Sequence, residues 1–240
     1  MRIRILLLIA ALLCIVGWGQ FVFLPPISAP KVPLAASNNP ASWLDAEIRI
    51  LHGQADNLSP EVLKLSLTAY RNARERGMDD KQILTIVDYS KPSSERRLWV
   101  VDLKSNKVLF NTWVAHGKNS GESNSTSFSN QAKSKKSSLG VFMTKDTYSG
   151  HNGYSLRVQG LESGYNDHAL NRDVVFHGAD YVSADVAKTR GKLGRSWGCF
   201  AVGRTVIQPL INTIKEDTLV VAYYPDKNWL ANSSYLHSEI

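Results

Sequence analysis

An apolar run, Val174-Val175-Phe176, ends in His177-Gly178, and 22 residues beyond His177 the chain reads Ser196-Trp197-Gly198-Cys199. A β run that stops at His-Gly delivers an imidazole to a strand end. A glycine ahead of a cysteine lets the backbone turn tightly and present its N–H groups. Together these are the parts of acyl transfer: a sulfur nucleophile that attacks a carbonyl, a histidine that takes and returns a proton, and backbone donors for the oxyanion. Cys199 shares the chain with one other cysteine, Cys14, which lies in an apolar leader. Once the leader is set aside, no internal disulfide can form, so the thiol is either a small buried hydrophobe or a reactive group.

The surroundings favour reactivity. Between Asp185 and Glu216 there is no carboxylate, whereas Lys188, Arg190, Lys192, Arg195, Arg204 and Lys215 are basic. Such a setting is expected to favour thiolate over thiol and to suit a substrate that carries carboxylates. The glycines of this stretch imply close approach of backbone to a ligand.

The elements that must position these residues can be read from pattern. Two short helices are expected over 42–54 and 60–76, the second with Ser59 as N-cap, Pro60 at its first position and Gly77 as its stop. Strands are expected at 83–89, 98–103, 108–115, 140–144, 155–161, 174–177 and 219–224, with Lys104-Ser105-Asn106-Lys107 as a hairpin turn. A late helix is expected over 206–215, with Thr205 and Gln208 as a capping box. The polar stretch from Gly117 to Ser138, with eight serines, is expected to be a flap over a groove. The domain order is thus a leader and linker over 1–36, a helical element over 37–80, a catalytic domain over 81–225 and a tail over 226–240.

The leader begins Met1-Arg2-Ile3-Arg4 and runs apolar from Ile5 to Leu24 before Pro25-Pro26. That is an export signal, and it is long enough to serve as a membrane anchor if uncleaved. The protein is therefore expected in the periplasm or cell envelope. The formal charge is +7, of which the part after Ala36 carries +4. This is too mild to argue for nucleic acid.

The segment resembles the HG…S-x-G-C signature of the YkuD-like L,D-transpeptidases, and more closely the murein L,D-transpeptidase catalytic domain family. Similar blocks occur at Val114-Ala115-His116-Gly117, Phe128-Ser129-Asn130, Lys136-Ser137-Ser138-Leu139-Gly140, Ser155 to Gly160 and Gly191 to Cys199. The resemblance implies a mainly β fold with some α, a β-sandwich-like catalytic domain behind a small helical element. It implies a thioester on Cys199, His177 as base, a carbonyl near Gly178 that orients the imidazole, and the Gly198 turn beside the nucleophile. The implied donor is a peptidoglycan tetrapeptide stem cut before its terminal D-alanine, with an amine of a second stem or water as acceptor. No cofactor or metal is implied, and a monomer is expected. Arg195, Ser196, Trp197, Arg204 and Asn130 are the candidate substrate-binding residues. The chain departs from the pattern at Ala201, where an arginine is common, at Trp197, and at Phe200, where proline is expected in the closer branch.

The rivals differ in class. Papain-like and NlpC/P60-like enzymes run Cys before His, the reverse of this chain, and sortases separate the pair more widely. A zinc hydrolase would need a pair such as H-E-x-x-H, which is absent. His52, His116, His151, His168 and His237 are expected to be surface or structural residues. Outside enzymes, a peptidoglycan-binding protein that kept the fold would have no use for His177 or Cys199.

Overall fold

The computed structural model describes residues 40–55 and 57–237, so the expected leader and linker over 1–36 lie outside the described residues. Among the described residues no helix is long and apolar enough to cross a membrane.

Two helices come first, α1 (Pro40–His52) and α2 (Pro60–Glu75). The Ser59 hydroxyl accepts from the Glu61 N–H, Pro60 opens the first turn of α2, and Gly77 follows it at φ 80°. Proline, fixed near helical φ and lacking an N–H, is well placed where a first-turn donor has no intrahelical partner. Next come β1 (Ile83–Asp88), β2 (Leu98–Asp102), β3 (Lys107–Thr112), β4 (Gly140–Gly150), β5 (Gly153–Gly160) and β6 (Val175–Ala179). Then follow α3 (Ala184–Arg190), β7 (Phe200–Gly203), α4 (Arg204–Ile214), β8 (Leu219–Tyr223) and α5 (Lys227–Asn232).

All eight strands form one sheet in the order β3-β2-β1-β8-β4-β5-β6-β7. β1 and β8 are parallel, as are β6 and β7, and the other pairs are antiparallel. The chain beyond β3 crosses to the opposite edge, where the Ala115 N–H donates to the Ala201 carbonyl at 2.9 Å and nearly closes the sheet on itself. The layers expected of a sandwich are therefore two halves of one curled, near-barrel sheet. The fold is mainly β with some α.

The core lies inside the curl. Phe176 and Phe200 stack at 4.7 Å between centroids, Phe142 meets Phe200 edge-on at 5.5 Å, and α4 covers this end with Ile207, Leu210, Ile211 and Ile214. Phe200 is 1% exposed, so the residue that stands where proline was expected is a core aromatic. Its stacking on Phe176 fixes the register Phe176↔Phe200 between β6 and β7.

Some expectations need correction. α4 begins at Arg204 with Gly203 as an N-cap that supplies no side-chain bond, so the Thr205–Gln208 capping box does not form and Pro209 falls inside the helix. The stretch after Pro225, expected to trail as a tail, folds back. Trp229 is fully buried and donates from Nε1 to the Glu162 carboxylate at 3.1 and 3.2 Å. Glu162 also accepts from the Val141 N–H at 2.6 Å and from the Ser233 hydroxyl. Burial raises its pKa, and these donors oppose that shift.

Candidate active site

His177 sits on β6 between Phe176, which faces the aromatic core, and Gly178. The alternation of a strand sends His177 to the other face, shared with Ala179, Ala201 and Ala115. The side chain is 5% exposed, and its Nδ1 donates to the Gly178 carbonyl at 3.1 Å, which leaves Nε2 as the acceptor. Burial holds the imidazole below its ordinary pKa, with the Gly178 carbonyl opposing and the Arg204 charge adding to the effect. It is therefore neutral at physiological pH and able to accept a proton.

Cys199 immediately precedes β7. The register Phe176↔Phe200 sets it opposite Val175, two residues from His177 on the neighbouring strand. Strand spacing and rise put the two α-carbons about 8 Å apart, a gap that two side chains can bridge. No hydrogen bond joins them here. Sγ instead donates to the Asp173 carbonyl at 3.4 Å.

Burial pushes the thiol above its ordinary pKa. The Val175 N–H and the Arg172 guanidinium pull it down, and Asp173 pushes it up. This direction runs against a thiolate favoured by basic surroundings, with burial the larger effect and the Arg172 charge opposing it.

Gly198 explains the turn. Its φ is +121°, and a Cβ there would lie 2.6 Å from the Lys136 carbonyl and 3.3 Å from Arg172 Nη2. Only glycine combines that conformation with that clearance. Ser196 braces the same turn, accepting from the Gly198 N–H at 3.1 Å and donating to the Cys199 carbonyl at 2.8 Å. It is 4% exposed, with its hydroxyl spent on this turn.

The other candidates disperse. Arg195 uses Nη1 on the Lys118 and Gly121 carbonyls and on Glu122, the last at 2.5 Å, so it supports the loop around residue 120. Arg204 forms a two-point pair with Asp180 at 2.8 and 3.2 Å on the surface. Asn130 clips Asp167 at 2.6 Å and the His168 N–H at 3.0 Å. Trp197 alone is free to meet a ligand: it is 71% exposed, with the Lys135 ammonium 4.6 Å from its ring centre. Ala201 is fully buried among alanines, which leaves no room for the arginine common at that place.

Arg172 was missed. From Nη1 it donates to the Ser129 carbonyl at 2.7 Å and the Ser138 hydroxyl at 2.6 Å, and from Nη2 to the Lys136 carbonyl at 2.7 Å and the Ser134 hydroxyl at 3.3 Å. All four partners are neutral oxygens of the serine-rich loop, so the guanidinium keeps its charge beside Cys199 while tying that loop to the nucleophile turn. Its signal was its place just upstream of the His177 strand, where β6 begins and Cys199 lies across.

A second buried arginine, Arg97, donates to the Val114 carbonyl at 2.9 Å and to His116 Nδ1 at 2.8 Å. Burial and that charge push His116 down to about 4, so it is a neutral structural residue.

Residues 54–223, more than half of the chain, match the family described as the L,D-transpeptidase catalytic domain. No curated protein matches. Among solved structures the chain is similar to an L,D-transpeptidase from Mycobacterium smegmatis, with 11% identity, a TM-score of 0.37 and coverage of 60% of this chain and 59% of that one. It is also similar to Bd1075 of Bdellovibrio bacteriovorus, with 15% identity, a TM-score of 0.38 and coverage of 62% and 49%. For an L,D-transpeptidase from Stackebrandtia nassauensis the values are 12%, 0.36, 76% and 91%. The chain thus spans only about half to three-fifths of the length of the first two. With His-Gly on β6 and Gly-Cys before β7 inside the matched span, the chain belongs to the L,D-transpeptidase catalytic domain family.

Proposed function

We propose that this protein is a cell-envelope cysteine L,D-transpeptidase that forms a thioester between Cys199 and a peptidoglycan stem peptide, exported and held at the membrane if its leader is retained. The observation that carries the reading is the Nδ1–Gly178 bond, which fixes the tautomer and leaves Nε2 as base on the strand paired with the nucleophile. Rotation of Cys199 about χ1 exchanges the Asp173 carbonyl for Nε2. Catalytic hydrogen bonds are often looser before substrate binds. The thiol proton then passes to Nε2 as sulfur attacks the carbonyl of the third stem residue. The bond to the terminal D-alanine breaks, and the imidazolium protonates the departing amine. Water or an amine of a second stem resolves the thioester.

The rival reading, a wall-binding protein with an inert thiol, draws on the Sγ–Asp173 contact. Mass spectrometry with a defined tetrapeptide stem separates the two. The wild type is expected to gain one acyl adduct, Cys199→Ser and Cys199→Ala none, and His177→Ala is expected to acylate about 10²-fold more slowly. A wild type that stays unmodified would leave the binding protein as the better reading.

A further inference from the structure

A cavity of about 320 Å³ opens where the chain between α3 and the nucleophile turn passes Lys118, lined by Lys118, Arg190, Lys192 and Arg195 together with Leu193 and Gly194. Its charged side chains are all cations, and neither His177 nor Cys199 belongs to its lining. One carboxylate answers them: Glu122 pairs with Lys192 and with Arg195, each at 2.5 Å. Lys118 and Arg190 take no part in those pairs, so positive charge is left in excess.

The backbone that carries these cations is pinned. Leu193 is 2% exposed in the cluster of Ala115, Ala179 and Ala187, and its N–H donates to the Ser93 hydroxyl at 3.2 Å. The Gly194 N–H donates to the Tyr181 carbonyl at 3.0 Å, and a Cβ on Gly194 would meet the Tyr181 side chain at 2.5 Å. Lys118 is tied through its N–H to the Ser196 carbonyl at 2.7 Å, and Gly191 closes α3 at φ 65°. Like charges gathered on a fixed backbone repel one another, and a ligand of opposite sign finds them already in place.

We propose that this cavity is a phosphate-binding site, separate from the thiol chemistry. A carboxylate brings a single negative charge, which Glu122 already supplies. A phosphomonoester brings roughly 1.5 to 2 at neutral pH, with three acceptor oxygens that can engage Lys118 and Arg190 as well. Arg195 holds the Lys118 and Gly121 carbonyls and Glu122 through Nη1, so Nη2 of its fork takes no part in those contacts. Glu122 is 64% exposed, and surface pairs of this kind contribute little, so it yields its place to the stronger anion. Inorganic phosphate and the phosphate head of a lipid offer the site the same chemistry.

The test titrates the full chain calorimetrically at fixed ionic strength with inorganic phosphate, with a short-chain phosphatidic acid below its micelle concentration, and with acetate. The wild type is expected to bind phosphate with a Kd of about 1 mM or tighter, and acetate at least about tenfold more weakly. Lys118→Ala and Arg190→Ala, both at exposed positions, are each expected to weaken phosphate about tenfold, the scale of one lost charge-assisted contact. Glu122→Gln removes the competing carboxylate and is expected to tighten phosphate several-fold, a direction that mere loosening of the loop would not produce. Phosphatidic acid that binds more tightly than phosphate, with the same dependence on Lys118 and Arg190, makes the ligand a lipid head; equal binding makes it a soluble phosphate. The site is overturned by the absence of saturable phosphate binding below about 10 mM, by acetate binding as well as phosphate, by alanine variants that match the wild type, or by weaker binding in Glu122→Gln. No arm involves Cys199, so acylation by a stem peptide stands or fails independently.

Discussion

The two faces of the β6–β7 pair are built on opposite rules. One carries Phe176 and Phe200, stacked and sealed under α4, while the other carries His177 with Ala115, Ala179 and Ala201. Large rings on the first face hold the strands in register. Small residues on the second let the sheet edge close tightly beside the imidazole. Stability and chemistry are thus divided between faces one peptide unit apart, and a substitution should affect mainly the face it touches.

The largest effect is expected on the aromatic face. Phe200→Ala removes a ring that touches Phe142, Phe176 and Tyr89 and should cost about 3–5 kcal/mol in denaturant unfolding. If the loss is under about 1 kcal/mol, the register is held by the backbone alone. On the other face, Ala201→Leu should overpack against Ala115 and Ala179 at about 1–3 kcal/mol and slow acylation more than its stability loss predicts. Acylation that merely tracks stability would mean that the small-residue face has no bearing on the site.

The smallest effect concerns protons. Because burial raises the thiol's pKa, Cys199 is protonated at neutral pH, and its alkylation by iodoacetamide should keep rising from pH 7 to 9 without a plateau. Arg172→Gln removes the charge that opposes burial, so it should slow alkylation at pH 7.5 several-fold and shift the profile to higher pH. Arg172→Lys should restore the profile in part but not the loop contacts, which limited proteolysis across residues 131–135 would read. A profile already flat at pH 7 would restore the thiolate first expected from the basic stretch.

That expectation shows where the sequence was legible and where it was not. The strands were readable because their β-branched and aromatic runs are long enough to display a pattern, and Ser59-Pro60 marked α2 because a cap is a local event. β7 was not, since four residues between the nucleophile turn and a helix carry no period. α3 is seven residues long and was missed for the same reason, although Ser183 and Gly191 cap it. The stretch from Val186 to Lys215 lacks carboxylates along the chain but not in space. Glu122 pairs with Lys192 and Arg195, and Asp180 pairs with Arg204, both from outside the stretch.

The serine-rich loop misled in the opposite sense. Its polar composition pointed to a flap over a groove, yet Ser120, Ser125, Ser137 and Ser138 are buried and hydrogen-bonded. At Phe200 and Ala201 the chain departs from the family pattern. In the fold they are packing choices on the two faces.

Glu162 bears on how this protein can be cut and carried. The family match stops at residue 223, but Trp229 and Ser233 reach back to the Glu162 carboxylate, which also holds the first residues of β4 through Val141. A fragment trimmed at the edge of the matched span would strand a carboxylate that burial has already made reluctant to ionise, with two of its three donors gone. An expression boundary drawn by homology would therefore cut through a folded unit, and the natural place for a tag or fusion lies past Leu236.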